Sequence, residues 1–122
     1  MPDFRFPVTL AGDVPVVGTP EEIDATNAEG LRAAMLEAAG IHRVTVVDMT
    51  KTRFCDSAGI HVLVGAHKRA RGQDGEVMLV LTDTAVLRVL AITGVDRWLP
   101  NFSTLDEALA SVADPITASP EP

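Results

Sequence analysis

The sequence predicts one α/β domain: a mixed, mainly parallel sheet of about four to five strands, about four helices, and an antiparallel hairpin at the N-terminal edge. Three observations carry this. A chain of 122 residues holds one core comfortably and two only with difficulty. Hydrophobic residues make up 47% of it, yet with one Trp, no Tyr and four Phe the interior must be built from Val, Leu, Ile, Ala and Met, a profile that suits strands covered by helices. After two short opening strands, strand and helix patterns alternate.

In order, residues 8–11 and 14–17 read as strands around Gly12-Asp13, a pair that tolerates positive φ. Pro7 and Pro15 lack an N–H and argue for edge positions. Asp24, Thr26 and Asn27 offer oxygens suited to capping a helix, and Leu31, Met35, Leu36 and Ala39 follow near helical spacing up to Gly40. Residues 43–49 hold Val44, Val46 and Val47 in a β-branched run that reads as a strand buried on both faces, with Asp48 near its end.

From residue 57 to 71, Ile60, Leu63, Val64 and His67 fall on one helical stripe, and Lys68, Arg69 and Arg71 match the negative end of the helix dipole. Residues 72–75 break the chain, 77–81 form the next apolar strand, and Asp83 or Thr82 caps a helix ending before Gly94. Trp98 and Leu99 before Pro100 suggest a short last strand, and Leu105, Ala108, Leu109 and Val112 fit one face of a terminal helix. The domain is expected to span residues 1–113, with 114–122 a flexible tail rich in Pro and Ser.

Composition excludes several function classes. A net charge of -7, with no basic stripe to override it, opposes binding of a polyanion such as nucleic acid. One cysteine makes no internal disulfide, the N-terminus lacks a signal-peptide pattern, and no apolar run reaches the roughly 18 residues of a membrane span, so a cytoplasmic location is expected. His42, His61 and His67 make no i, i+4 pair and no metal pattern. With neither a G-x-x-x-x-G-K-[ST] loop nor a G-x-G-x-x-G fingerprint, no cofactor is expected.

The most informative stretch is Cys55-Asp56-Ser57-Ala58-Gly59-Ile60, where a polar connection after the buried strand opens a helix. The first N–H groups of a helix are unpaired and carry the positive end of its dipole, so a phosphate on Ser57 is tolerated there. The same dianion, about -1.5 to -2 in charge at neutral pH, would stand on a small neutral surface formed by Cys55, Ala58, Gly59 and Ile60 and repel a docked partner. The plainer alternative is that Asp56 or Ser57 only caps the helix.

The strand ending in Asp48 and the Asp-Ser-Ala-Gly helix start resemble a pattern of the STAS domain family: an apolar strand ending in Asp, then an apolar-Asp-Ser-Ser-Gly helix start. Glu22-Ile23-Asp24-Ala25-Thr26 resembles its Glu-Leu-Asp-x-x-Thr segment, Gly75-Glu76-Val77 its next strand start, and Ala91-Ile92-Thr93-Gly94-Val95-Asp96 its late helix ending, so the likeness runs over residues 8–112. The sequence departs from the family at Pro20, where a glycine is usual, and at Ala58, where a second serine is usual.

The resemblance implies an anti-sigma factor antagonist and no catalysis by this chain. It binds an anti-sigma factor that has serine kinase activity, which frees a sigma factor. In that scheme Ser57 matches the serine phosphorylated by the kinase and restored by a phosphatase. Asp24, Thr26 and Asn27 match a second partner-facing loop, an expectation that stands beside simple capping of the first helix.

Other readings are a STAS module of a stress-signalling or transporter complex, or a small-ligand sensor using a pocket between the Asp24 loop and the Asp56-Ser57 turn. A serine hydrolase is disfavoured because Cys55 stands where the G-x-S-x-G elbow needs glycine. Cys55 reads as a buried structural thiol or as a redox-sensitive one. The third helix, apolar at Val86, Leu87, Val89, Leu90 and Ile92, is either deeply buried or part of a docking surface.

Overall fold

The structure, a computed structural model of the chain, describes residues 4–113. Its elements are β1 (Val8–Ala11), β2 (Val14–Gly18), β3 (Glu22–Ile23), α1 (Ala28–Ala39), β4 (Val44–Asp48), β5 (Phe54–Cys55), α2 (Ser57–Arg71), β6 (Glu76–Val80), α3 (Thr84–Thr93), a 3-10 turn (Val95–Arg97), β7 (Asn101–Phe102) and α4 (Leu105–Ala113). Five strands form one sheet in the order β1-β2-β4-β6-β7, with β1 antiparallel to β2 and every other pair parallel. β3 and β5 form a separate parallel pair.

Side-chain alternation along the strands sorts the apolar residues into two cores. Val16, Val44, Val46, Met78 and Val80 pack with Ala108 of α4 on one face. Val17, Val47, Val77 and Leu79 pack on the other with Leu31 of α1, Leu63 of α2 and Leu90 of α3. Covered on both faces, β4 and β6 are apolar at adjacent positions, Val46-Val47 and Val77-Met78-Leu79-Val80, which is why they were legible without alternation in the sequence. Among the described residues no helix is long and apolar enough to cross a membrane.

Several expectations need correction. The last strand is Asn101–Phe102 rather than Trp98-Leu99, which instead follow the 3-10 turn. Pro15 lies in β2, an interior strand, and is tolerated because the pairing of β2 with β4 begins only at Val16. In α1 the buried stripe is Ala28, Leu31, Ala34, Met35 and Ala38, while Leu36 and Ala39 face outward. In α2 it is Gly59, Ile60, Leu63 and Ala66, with Val64 and His67 half-buried at the boundary. The expected tail, residues 114–122, lies outside the described residues.

β2 and β4 run side by side in parallel, so the connections leaving them emerge at the same edge of the sheet. A buried pair of hydroxyls ties those connections together. Thr52 donates to the Pro20 carbonyl at 2.7 Å. Its only proton being used there, it accepts from Thr19 across 2.6 Å. Both threonines are enclosed, at 0% and 5% exposure. Thr52→Val keeps the shape but strands the Pro20 carbonyl and leaves the Thr19 hydroxyl only its longer bond to the Asp48 carbonyl at 3.3 Å, so urea unfolding should show a loss of about 1–3 kcal/mol with the fold retained. A loss within the error of the midpoint would show that the pair does not hold this edge.

Candidate functional site

The site is built on the β3–β5 pair. Glu22 stands opposite Phe54 and Ile23 opposite Cys55, and the Asp56 N–H donates to the Ile23 carbonyl at 3.0 Å. The Asp24 loop and the Asp56-Ser57 turn therefore leave two neighbouring strands at the same end, so the two predicted partner-facing segments meet. Alternation again decides sidedness: Ile23 and Cys55 turn into the core, while Glu22 and half-exposed Phe54 face out.

At the start of α2 the capping role belongs to Asp56. Its Oδ1 accepts from the N–H groups of Ala58 at 2.9 Å and Gly59 at 3.4 Å, satisfying donors that the first turn leaves open. Ser57, the next residue, is exposed, and its side chain makes no hydrogen bond with any described residue. Of the predicted surface around it, Ala58 is half-buried, whereas Cys55, Gly59 and Ile60 lie beneath the surface at 3% and 7% exposure for Cys55 and Ile60. They shape the patch from below.

Gly59 is required for that shape. A Cβ there would stand 2.6 Å from the Cys55 sulfur and 2.7 Å from Ile23 Cγ2, so only glycine lets α2 lie this close to β3 and β5.

The first loop separates into two roles. The Asn27 side chain is buried and does not cap α1: its Oδ1 accepts from the Asp24 N–H at 2.9 Å, and its Nδ2 donates to the Glu22 carbonyl at 2.8 Å. Asp24 and Thr26 are not caps of α1 either. Asp24 Oδ1 accepts from both the N–H and the hydroxyl of Thr26, closing a small polar turn. These bonds, the hydroxyl first, hold the Asp24 carboxyl below its ordinary pKa. Asn27 thus fastens the loop, and Asp24 with Thr26 presents it.

Phe54 went unremarked in the sequence, although its position one residue before buried Cys55 was the signal that it faces out. On α3, Asp83 caps the helix through the N–H groups of Ala85 and Val86. That helix is divided: Val86 and Leu90 are buried, Leu87 and Val89 partly so, and Ile92 is 77% exposed. The two cavities described in the structure are lined by neither Asp24, Asp56 nor Ser57.

The STAS domain family model matches residues 6–108. The chain belongs to the STAS domain family. An anti-sigma factor antagonist homologue from Thermotoga neapolitana is 27% identical over 110 residues, spanning 88% of this chain and 96% of the relative. The crystal structure of an anti-sigma factor antagonist from Mycobacterium paratuberculosis superposes with a TM-score of 0.82 at 29% identity, covering 89% of this STAS domain and 93% of that chain. The Bacillus anti-sigma factor antagonist SpoIIAA matches in its unphosphorylated form with a TM-score of 0.74, at 20% identity over 88% of this chain and 96% of its own. Its phosphorylated form matches at 0.69, with 21% identity over 88% and 98%. At those identities the SpoIIAA likeness is one of fold.

Within this STAS domain Cys55 is an inert packing thiol. Burial first, and the adjacent Asp56 charge second, push its pKa from 9.0 up to about 12. The folded protein should therefore resist a thiol-specific disulfide reagent at about pH 8 and react fully once unfolded in urea. The sign for stability follows: the unfolded thiol ionises near 9.0 and the folded one only near 12, so alkali erodes stability across that window and acid leaves this term intact. Rapid modification of the native protein at a rate matching free cysteine would refute this placement.

Proposed function

We propose that this STAS domain is an anti-sigma factor antagonist whose grip on its partner is switched off by phosphorylation of Ser57. What carries the reading is one observation: Ser57 stands exposed at the opening of α2 with its hydroxyl unemployed, because Asp56 already caps the helix. The names of its relatives support the partner class.

In the unmodified state the patch offers a small neutral residue, Ala58, beside the half-exposed ring of Phe54 and the polar Asp24-Thr26 turn. An aromatic anchor flanked by small groups is the composition that makes a desolvated protein contact favourable. The partner is an anti-sigma factor with serine kinase activity, and holding it releases a sigma factor. The kinase, which brings its own nucleotide, transfers phosphate to the Ser57 oxygen.

The added dianion adjoins the Asp56 carboxylate at the positive end of the helix dipole. Docking would bury that charge unpaired at several kcal/mol, and about 1.4 kcal/mol is already tenfold in affinity. The modified form is therefore rejected until a phosphatase restores the hydroxyl. With Ala58 in place of a second serine, the acceptor is Ser57 alone within the Asp-Ser-Ala-Gly segment.

The test is co-purification from the native cell using wild type, Ser57→Ala and Ser57→Asp as bait. Wild type and Ser57→Ala should retain an anti-sigma factor, and Ser57→Asp should retain at least about tenfold less, a partial effect because aspartate carries less charge than phosphate. Equal retention by all three would remove the switch from Ser57.

A further inference from the structure

At the other end of α2, far from Ser57, the chain carries a concave feature. A cavity of about 540 Å³ opens between the C-terminal ends of α1 and α2 and the start of β4 and β6. That size is in the range of about 300–1,000 Å³ typical of small-molecule sites. Arg69 on its rim is twelve residues along α2 from Ser57, about 18 Å at the helical rise, so the cavity is separate from the docking patch.

Its lining is two-sided in character. Met35, Leu36, Ile41, Ala66, Ala70 and Val77 make an apolar wall. Leu36 and Ile41 are 43% and 46% exposed, two large aliphatic side chains held open to water at the same opening. The polar members include His42, Arg43 and Arg69, and no Asp or Glu is among the lining residues, although acids outnumber Lys and Arg by 17 to 10 in the chain.

The charged groups there are uncommitted. Among the described residues neither Arg43 nor Arg69 has an ion-pair partner. His42 accepts the Val44 N–H on Nδ1 at 3.0 Å, which leaves its Nε2 as an N–H donor. Helix C-termini would ordinarily repel an anion, but here the Ala38 carbonyl is occupied by the Ile41 N–H at 2.9 Å and the Ala70 carbonyl by the Gly75 N–H at 2.7 Å.

We propose that this cavity binds a single-chain amphiphile with an anionic head group. Arg43 and Arg69 take the head by charge-assisted hydrogen bonds, and the tail covers the exposed faces of Leu36 and Ile41. A guanidinium pair selects a planar or tetrahedral anion over a neutral or cationic head of equal chain length.

Amide-resolved NMR titration of the folded wild-type chain, below the micelle concentration of each probe, tests this. The probes are decanoate, decyl phosphate, octanoate and decyltrimethylammonium. Saturable shifts should gather at residues 36, 41, 43, 66 and 70 with decanoate or decyl phosphate, the stronger of the two identifying a carboxylate or a phosphate head. Octanoate should bind about 16-fold more weakly than decanoate, since each buried methylene contributes about fourfold. The cationic probe should bind at least about tenfold more weakly, and Arg43→Gln with Arg69→Gln should abolish that preference while leaving the tail dependence. Shifts that do not saturate or spread over the surface would overturn the proposal, as would equal binding of the cationic probe. The head-group comparison is read on the wild-type chain, so it stands even if the double variant does not fold.

Discussion

The candidate site of this STAS domain depends on a ladder of two residues per strand. β3 and β5 are too short to be stable alone, and they exist because β2 and β4 run parallel and deliver their connections to one edge. The Thr19-Thr52 hydroxyl pair draws those connections together, the Ile23 carbonyl takes the Asp56 N–H, and Gly59 lets α2 descend onto both strands. Without this pairing, Asp24 and Ser57 would belong to unrelated loops.

On that platform neighbouring residues carry different duties. Asp56 closes the helix and Asn27 closes the loop, both by side-chain bonds to backbone groups that would otherwise go unpaired. Ser57 is thereby released from structural work, while Asp24 and Thr26 close their own turn beside it. A residue with no structural duty can gain or lose a charge without the fold paying attention, which is what a reversible modification requires.

Much of the fold was legible because its signals are local. The buried strands β4 and β6 carry adjacent apolar residues, Val46-Val47 and Val77-Met78-Leu79-Val80, Gly12-Asp13 marks the opening hairpin, and Asp83 marks a helix start, each set by neighbours in the chain. β3 and β5 were not legible, since two residues carry no periodicity and their pairing spans the whole of α1 and β4. The capping residue could not be chosen between Asp56 and Ser57 either, because both types suit the position and only the backbone's path decides. Placing Cys55, Gly59 and Ile60 on the surface failed for the same reason: their burial comes from the close approach of α2 to β3 and β5, a tertiary fact.

If Ser57 is the switch proposed above, the opening of α2 must hold a phosphate at little cost to the fold. Equilibrium urea unfolding of the stoichiometrically phosphorylated protein against the unmodified one measures this directly. The account predicts free energies equal within about 1 kcal/mol, the dipole's attraction roughly offsetting the nearby Asp56 carboxylate. A loss of several kcal/mol on phosphorylation would contradict it, since the modification would then act by unfolding the domain.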